Sequence, residues 1–61
     1  MLTKTVMASD GVNRTVEGKM FGRELRIYRV YGDVTDTEAL KETAQILALQ
    51  LNAQKVVYTN I

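Results

Sequence analysis

The most constraining feature of this 61-residue chain is one long amphipathic segment, from Asp36 to Ala53, for which we predict an α-helix. The run from 35 to 38 reads Thr-Asp-Thr-Glu and has the pattern of a capping box, in which a hydroxyl and a carboxylate satisfy amides of the first turn. At about 100° per residue, four apolar side chains form a narrow stripe that we expect to face the core: Leu40, Ala44, Leu47 and Leu51. A chain of this length makes a single domain, 1–61, so one helix has to cover most of its sheet.

The rest of the chain has the pattern of strands separated by turns. Asp-Gly within 9–13 is typical of a hairpin turn, and Gly18 indicates a bulge or an early end of a strand. We predict four strands: Leu2–Ala8, Arg14–Met20, Arg23–Tyr31 and Lys55–Ile61. The order β-β-β-α-β predicts an α+β fold, in which a small antiparallel sheet of three to four strands carries one long helix on one face. We expect the last strand to be tied into the sheet beside the first.

Alternation along the strands predicts which residues are buried. In the third strand, Leu25 and Ile27 share one face while Tyr28 and Val30 share the other, a two-sided character that favours a central position. Together with the helix stripe, these patterns give the expected core: Val6, Val16, Leu25, Ile27, Val30, Leu40, Ala44, Leu47, Leu51, Val56 and Tyr58.

The composition argues against catalysis. Histidine and cysteine are both absent, which removes the commonest general base, the commonest metal ligand and any disulfide. Ser9 therefore has no histidine to activate it, and the carboxylate pair Asp33 and Asp36 occupies positions that turns and helix caps favour. We predict no enzymatic activity, no metal site and no cofactor. No apolar run has the length of a signal peptide core or a membrane span, so we expect a cytoplasmic protein without membrane contact.

Charge and aromatic residues are concentrated in the first half of the chain. Residues 1–31 carry six basic and three acidic side chains, whereas residues 32–61 carry two basic and four acidic ones. Basic residues interleaved with aromatic ones on a sheet are what a single-stranded nucleic acid needs, so one hypothesis is nucleic-acid binding through Lys19, Arg23, Arg26, Tyr28 and Arg29. Strict alternation splits this set, because Arg26 with Tyr28 and Arg29 with Tyr31 fall on opposite faces unless the strand is twisted or bulged.

The fragment Lys-Met-Phe-Gly at 19–22 resembles part of an RNA-recognition strand. The remainder of that pattern is missing, and the order of the elements differs. The net charge of +1 is also small for a dedicated nucleic-acid binder. Nucleic-acid binding is therefore the alternative hypothesis from the sequence.

The leading hypothesis from the sequence is a small non-enzymatic protein-binding module. Ile46 lies about 120° from Leu40 and Leu49 about opposite it, so both fall outside the core stripe, among uncharged neighbours that include Gln45 and Asn52. These residues would anchor a partner protein or a second copy of the chain. Arg26 and Arg29 would steer an acidic partner. In length and missing catalytic residues the chain resembles the inhibitors and antitoxin-like factors that phages and mobile elements encode, which act by occlusion.

Overall fold

The computed structural model describes residues 1–9, 11–32, 34 and 37–59. Its elements are β1 (Leu2–Met7), β2 (Asn13–Phe21), β3 (Glu24–Tyr31), α1 (Thr37–Gln50) and β4 (Lys55–Tyr58). The strands form one sheet in the order β1-β2-β3-β4, and α1 packs against all four of them. The predicted α+β class, with one helix on a small sheet, is confirmed.

The sheet is mixed, which differs from the wholly antiparallel arrangement predicted for it. β1, β2 and β3 form an antiparallel meander, but β4 runs parallel to β3, with Val56 opposite Leu25. The last strand therefore lies beside β3, and its predicted place beside the first strand is wrong. The physical reason is the helix between the two strands, which returns the chain to the end of the sheet where β3 began. There, the amide of Gln54 donates to the carbonyl of Arg23 at 2.8 Å, and this fixes the register.

The helix ends at Gln50, three residues before its predicted end at Ala53. Asn52 adopts a positive φ of 57°, and the amide of Ala53 donates to the carbonyl of Ala48 at 2.9 Å, an arrangement that ends α-helices. Several residues named above lie outside the described part of the chain: Thr35 and Asp36 of the capping box, Asp33 of the carboxylate pair, Asp10 of the hairpin, and Asn60 and Ile61 of the last strand.

The core lies between α1 and one face of the sheet, as the helix stripe predicted. Six predicted core residues are fully buried: Val6, Val16, Leu25, Ile27, Ala44 and Leu47. Val30, Leu51, Val56 and Tyr58 are partly buried against them, and Leu40 is half-buried. Ala48 completes the cluster and was not predicted, because it lies about 40° beyond Ala44, outside the narrow stripe.

Two polar contacts fasten the first hairpin to the helix. Arg14 is buried on the helix side of β2 and donates to the hydroxyl of Thr43 at 3.4 Å, while Thr43 donates to the carbonyl of Ala39 at 2.8 Å. The amide and hydroxyl of Ser9 both donate to one carboxylate oxygen of Glu42, at 2.9 and 2.7 Å. Ser9 therefore has a structural role in the described geometry. Both contacts lie on the helix side and leave the other face of the sheet free.

Candidate functional site on the open face of the sheet

A bulge in the β2–β3 ladder decides which side chains share the face of the sheet opposite α1. Glu17 lies opposite Arg29 and Gly18 lies opposite Ile27, so Tyr28 is an extra residue without a partner across the ladder. Gly18 allows this close approach, because a β-carbon there would collide with the carbonyl oxygen of Arg26.

The bulge shifts the alternation of β3 by one residue. Arg29 consequently lies on the same side of the sheet as Arg26, whereas strict alternation placed them on opposite faces. The bulge is the exception under which the predicted split does not occur, so Arg26, Arg29 and Tyr31 share one face. We call this side the open face; the β2 and β3 residues on it are Thr15, Glu17, Lys19, Phe21, Glu24, Arg26, Arg29 and Tyr31.

The first cluster on the open face is built around Phe21. The guanidinium carbon of Arg26 lies 4.1 Å from the centre of the Phe21 ring, and the Lys19 ammonium lies 5.0 Å from it. Both distances are within the range of cation–π attraction. Arg26 Nε also donates to Glu24 at 2.7 Å, which holds the pKa of the Glu24 carboxyl below its usual range. Two cations are therefore held on one exposed ring.

The second cluster is built around Tyr31. Arg29 Nη1 donates to the Tyr31 hydroxyl at 3.1 Å, and this hydroxyl donates to Glu17 Oε1, also at 3.1 Å. The hydrogen bond to Tyr31, reinforced by the charge of Glu17, raises the pKa of Arg29 above its usual value. The guanidinium carbon of Arg29 lies 5.6 Å from the ring centre. This chain of contacts orients the Tyr31 ring, which is exposed.

No described element covers the open face, and it carries exposed apolar groups. The side chains of Thr5 and Thr15 meet there across β1 and β2, with their hydroxyl oxygens 3.1 Å apart. Of the large apolar side chains exposed in the described residues, Leu49 lies on the helix, Met1 lines a groove beside Glu17, and the remaining three lie on this side of the sheet: Met7, Phe21 and Tyr31. Exposed apolar groups gathered on one face are typical of a contact surface.

The open face is basic. Register places Lys55 of β4 opposite Glu24, beside the Phe21 cluster, and Arg23 is exposed in the turn at the end of the same face. The acidic side chains among these residues are Glu17 and Glu24, so the five basic residues exceed them. The exposed acidic residues described on α1, Glu38 and Glu42, lie on the other side of the sheet. Among the described residues, the open face therefore carries a basic excess of about three charges.

A shallow groove of about 960 Å³ runs beside the Tyr31 cluster. Its polar walls come from the open face, and its apolar walls include Leu40 near the start of α1. The lining residues are Met1, Glu17, Lys19, Tyr28, Arg29, Val30, Tyr31 and Leu40. The volume is within the range of small-ligand sites, and the groove is open to solvent.

Of the two apolar helix residues predicted to anchor a partner, Leu49 is largely exposed and Ile46 is not. Leu49 is 82% exposed, but Ile46 is half-buried and packs against the core, because the sheet contacts a wider arc of the helix than the stripe suggested. Gln45 is exposed, and burial raises the pKa of the neighbouring Tyr58 hydroxyl. Asn52 is exposed and ends the helix. The proposal that this surface binds a protein stays a prediction with Leu49 as its centre.

Sequence reasoning named four basic residues of the open face, Lys19, Arg23, Arg26 and Arg29, but missed Lys55 and both carboxylates. The sequence around Glu17 and Glu24 gives no sign that they belong to a site, because each looks like an ordinary surface residue. Only the register between β2 and β3 places them beside a ring or an arginine. Among the described residues, no group of three acidic side chains could hold a metal ion, and no helix is long and apolar enough to cross a membrane. Comparison with protein-family models, curated proteins and solved structures finds no match.

Proposed function

We propose that this protein binds single-stranded nucleic acid through the open face of its sheet. The observation that supports the proposal most is the bulge at Gly18, which joins the cations of β2 and β3 to the rings of Phe21 and Tyr31 on one uncovered surface. Single strands present flat bases that stack on aromatic rings and phosphates that pair with cations. The rings and the cations of the open face therefore match these two parts of a single strand.

The spacing of the two clusters suits an extended strand of several nucleotides. Tyr31 lies opposite Thr15, and Phe21 lies six residues further along β2, which corresponds to about 20 Å at roughly 3.3 Å per residue. A nucleic-acid strand whose bases stay stacked at about 3.4 Å crosses this distance in roughly six nucleotides, and a more extended strand crosses it in fewer. One molecule of the protein therefore has room for a short site, with a ring at each end.

Single strands suit this surface better than duplexes. Stacking on Phe21 and Tyr31 requires bases whose faces are free, and in a duplex those faces are already stacked. The basic excess on the open face is modest, so phosphate contacts alone would bind weakly and stacking has to contribute. The proposal places the protein in the cytoplasm, where single-stranded nucleic acid is available.

Neutralising two arginines tests the proposal. We expect the double variant Arg26→Ala/Arg29→Ala to bind a labelled mixed-sequence DNA strand of about twelve nucleotides at least about tenfold more weakly, because two phosphate partners are lost and Glu24 loses its ion pair. Fluorescence anisotropy at low salt gives the dissociation constants. The control is Lys4→Ala/Lys41→Ala, which removes the same charge from exposed residues outside the open face. Equal loss in both variants would contradict a site on the open face.

A second candidate function is protein binding through the helix, which the 82% exposure of Leu49 favours. Leu49 has uncharged exposed neighbours, including Gln45 and Gln50, so little desolvation opposes a contact there. The partner would be another protein or a second copy of this chain.

For this second candidate we expect Leu49→Asp to abolish self-association or partner capture, because it places a charge at the centre of the contact. The matched control is Gln50→Asp, which introduces the same charge on the adjacent exposed residue. Light scattering measures the mass in solution, and affinity capture measures the partner. If Leu49→Asp changes neither quantity relative to Gln50→Asp, this candidate is lost.

A further inference from the structure

The two rings on the open face are almost equally exposed, Phe21 at 41% and Tyr31 at 42%, but they differ in how close the neighbouring cations lie to the ring face. Arg26 lies directly on Phe21, at 4.1 Å from the ring centre, with Lys19 also within 5.0 Å. Arg29 lies 5.6 Å from the centre of the Tyr31 ring, and its donated hydrogen bond goes to the hydroxyl at the ring edge. The Tyr31 ring is therefore the better stacking platform, and the groove of about 960 Å³ lies beside it.

Glu17 is an unexpected residue in a surface that binds phosphates. It lines the same groove as Tyr31 and accepts a hydrogen bond from the Tyr31 hydroxyl on Oε1. Among the described residues, no hydrogen bond reaches its other carboxylate oxygen. A carboxylate repels phosphate, so it weakens nucleic-acid binding unless it accepts a hydrogen bond from a base.

Carboxylates do accept from bases that carry an exocyclic amino group. The N4 amino group of cytosine is the usual partner of glutamate and aspartate, and thymine and uracil present a carbonyl oxygen at the equivalent position. A base stacked on Tyr31 has its edge near the hydroxyl end of the ring, where Glu17 lies. An amino group there would meet an acceptor, whereas a carbonyl oxygen would meet a negative charge.

We propose that the groove holds one base stacked on Tyr31, and that Glu17 selects an amino-bearing base, cytosine above thymine or uracil. This inference rests on the proposed nucleic-acid binding and adds a base preference to it. Lys19 and Arg29, which line the same groove, are placed to pair with the phosphates on either side of the selected base.

The test compares two pyrimidine strands of the same length. We expect the unmodified protein to bind oligodeoxycytidine of about eight nucleotides roughly tenfold more tightly than oligodeoxythymidine of the same length at neutral pH and low salt, which is the size of effect that one hydrogen bond to a charged group gives. Fluorescence anisotropy measures both constants. Since both bases are pyrimidines, differences in stacking area are small.

Glu17→Ala separates base selection from a merely structural role. We expect the variant to lose the preference, with a ratio of the two constants near one, and to bind oligodeoxythymidine at least as tightly as the unmodified protein because a negative charge is gone. If Glu17 only supports Tyr31, both strands would weaken equally and the ratio would stay unchanged, which would overturn the inference.

Two further outcomes are informative. Equal binding of the two strands by the unmodified protein would overturn the base preference and leave the proposed function intact. Binding of neither strand at low salt would overturn the proposed function and the base preference together.

Discussion

Leu47→Ala is expected to lower the free energy of unfolding by about 2–5 kcal/mol, whereas Leu49→Ala should change it by less than about 0.5 kcal/mol. Leu47 is 0% exposed and lies in the centre of the core, while Leu49, two residues later in the same helix, is 82% exposed. The first substitution leaves a cavity under the sheet, and the second removes a side chain that is mostly in water.

The size of this effect is large for a chain of 61 residues. Domains have roughly 0.05–0.15 kcal/mol of stability per residue, so the whole protein has on the order of 3–9 kcal/mol. Leu47→Ala would therefore remove much of the total and leave a measurable unfolded fraction at room temperature. Urea denaturation, followed by the helical circular-dichroism signal at about 222 nm, measures the free energy of unfolding of each variant.

Comparing the two leucines controls for helix propensity, because both substitutions exchange leucine for alanine in the same helix. If Leu49→Ala destabilises as much as Leu47→Ala, the helix does not present the described face to the sheet. A loss confined to Leu47 would support the described packing. It would also show that Leu49 is free for functional variants such as Leu49→Asp.

Local patterns in the sequence were sufficient to predict the elements of this fold. The helix stripe and the strand alternation depend on neighbours within a few residues, and Leu25, Ile27 and Leu47 are buried as those patterns indicated. The pairing of β4 with β3 depends on residues about thirty positions apart, such as Leu25 and Val56, and no local signal specifies it.

The candidate site was harder to predict from the sequence than the elements of the fold. Lys19, Arg26 and Arg29 were recognised as candidates, but one extra residue at the bulge decides whether they share a face. Gly18 signalled a bulge, yet the residue opposite it, and therefore the new alternation of β3, depends on the register between two strands. Ile46 was expected outside the core stripe but packs against the core, for a related reason. Its angle from the stripe did not reveal how wide an arc of the helix the sheet contacts.

Salt should weaken nucleic-acid binding strongly if the cations of the open face contact phosphates. Single strands give a slope of about −0.7 per neutralised phosphate in a plot of log association constant against log salt concentration. The basic excess on the open face suggests about three such contacts, which gives a slope near −2. The association constant would then fall roughly 40-fold between about 50 mM and about 300 mM salt.

The affinity that remains at high salt measures how much base stacking on the aromatic rings contributes to binding. Stacking of bases on Phe21 and Tyr31 is much less sensitive to salt than phosphate pairing, so binding should become weak without disappearing abruptly. In Arg26→Ala/Arg29→Ala the slope should become shallower by about one to two, because two of the contacts are gone.

The most direct test of the central claim is this salt titration, performed by fluorescence anisotropy with a labelled mixed-sequence DNA strand of about twelve nucleotides. We expect clear binding at about 50 mM salt and a slope near −2 that the two arginines largely determine. No binding at that salt concentration, or binding whose strength does not change with salt, would contradict nucleic-acid recognition by the open face.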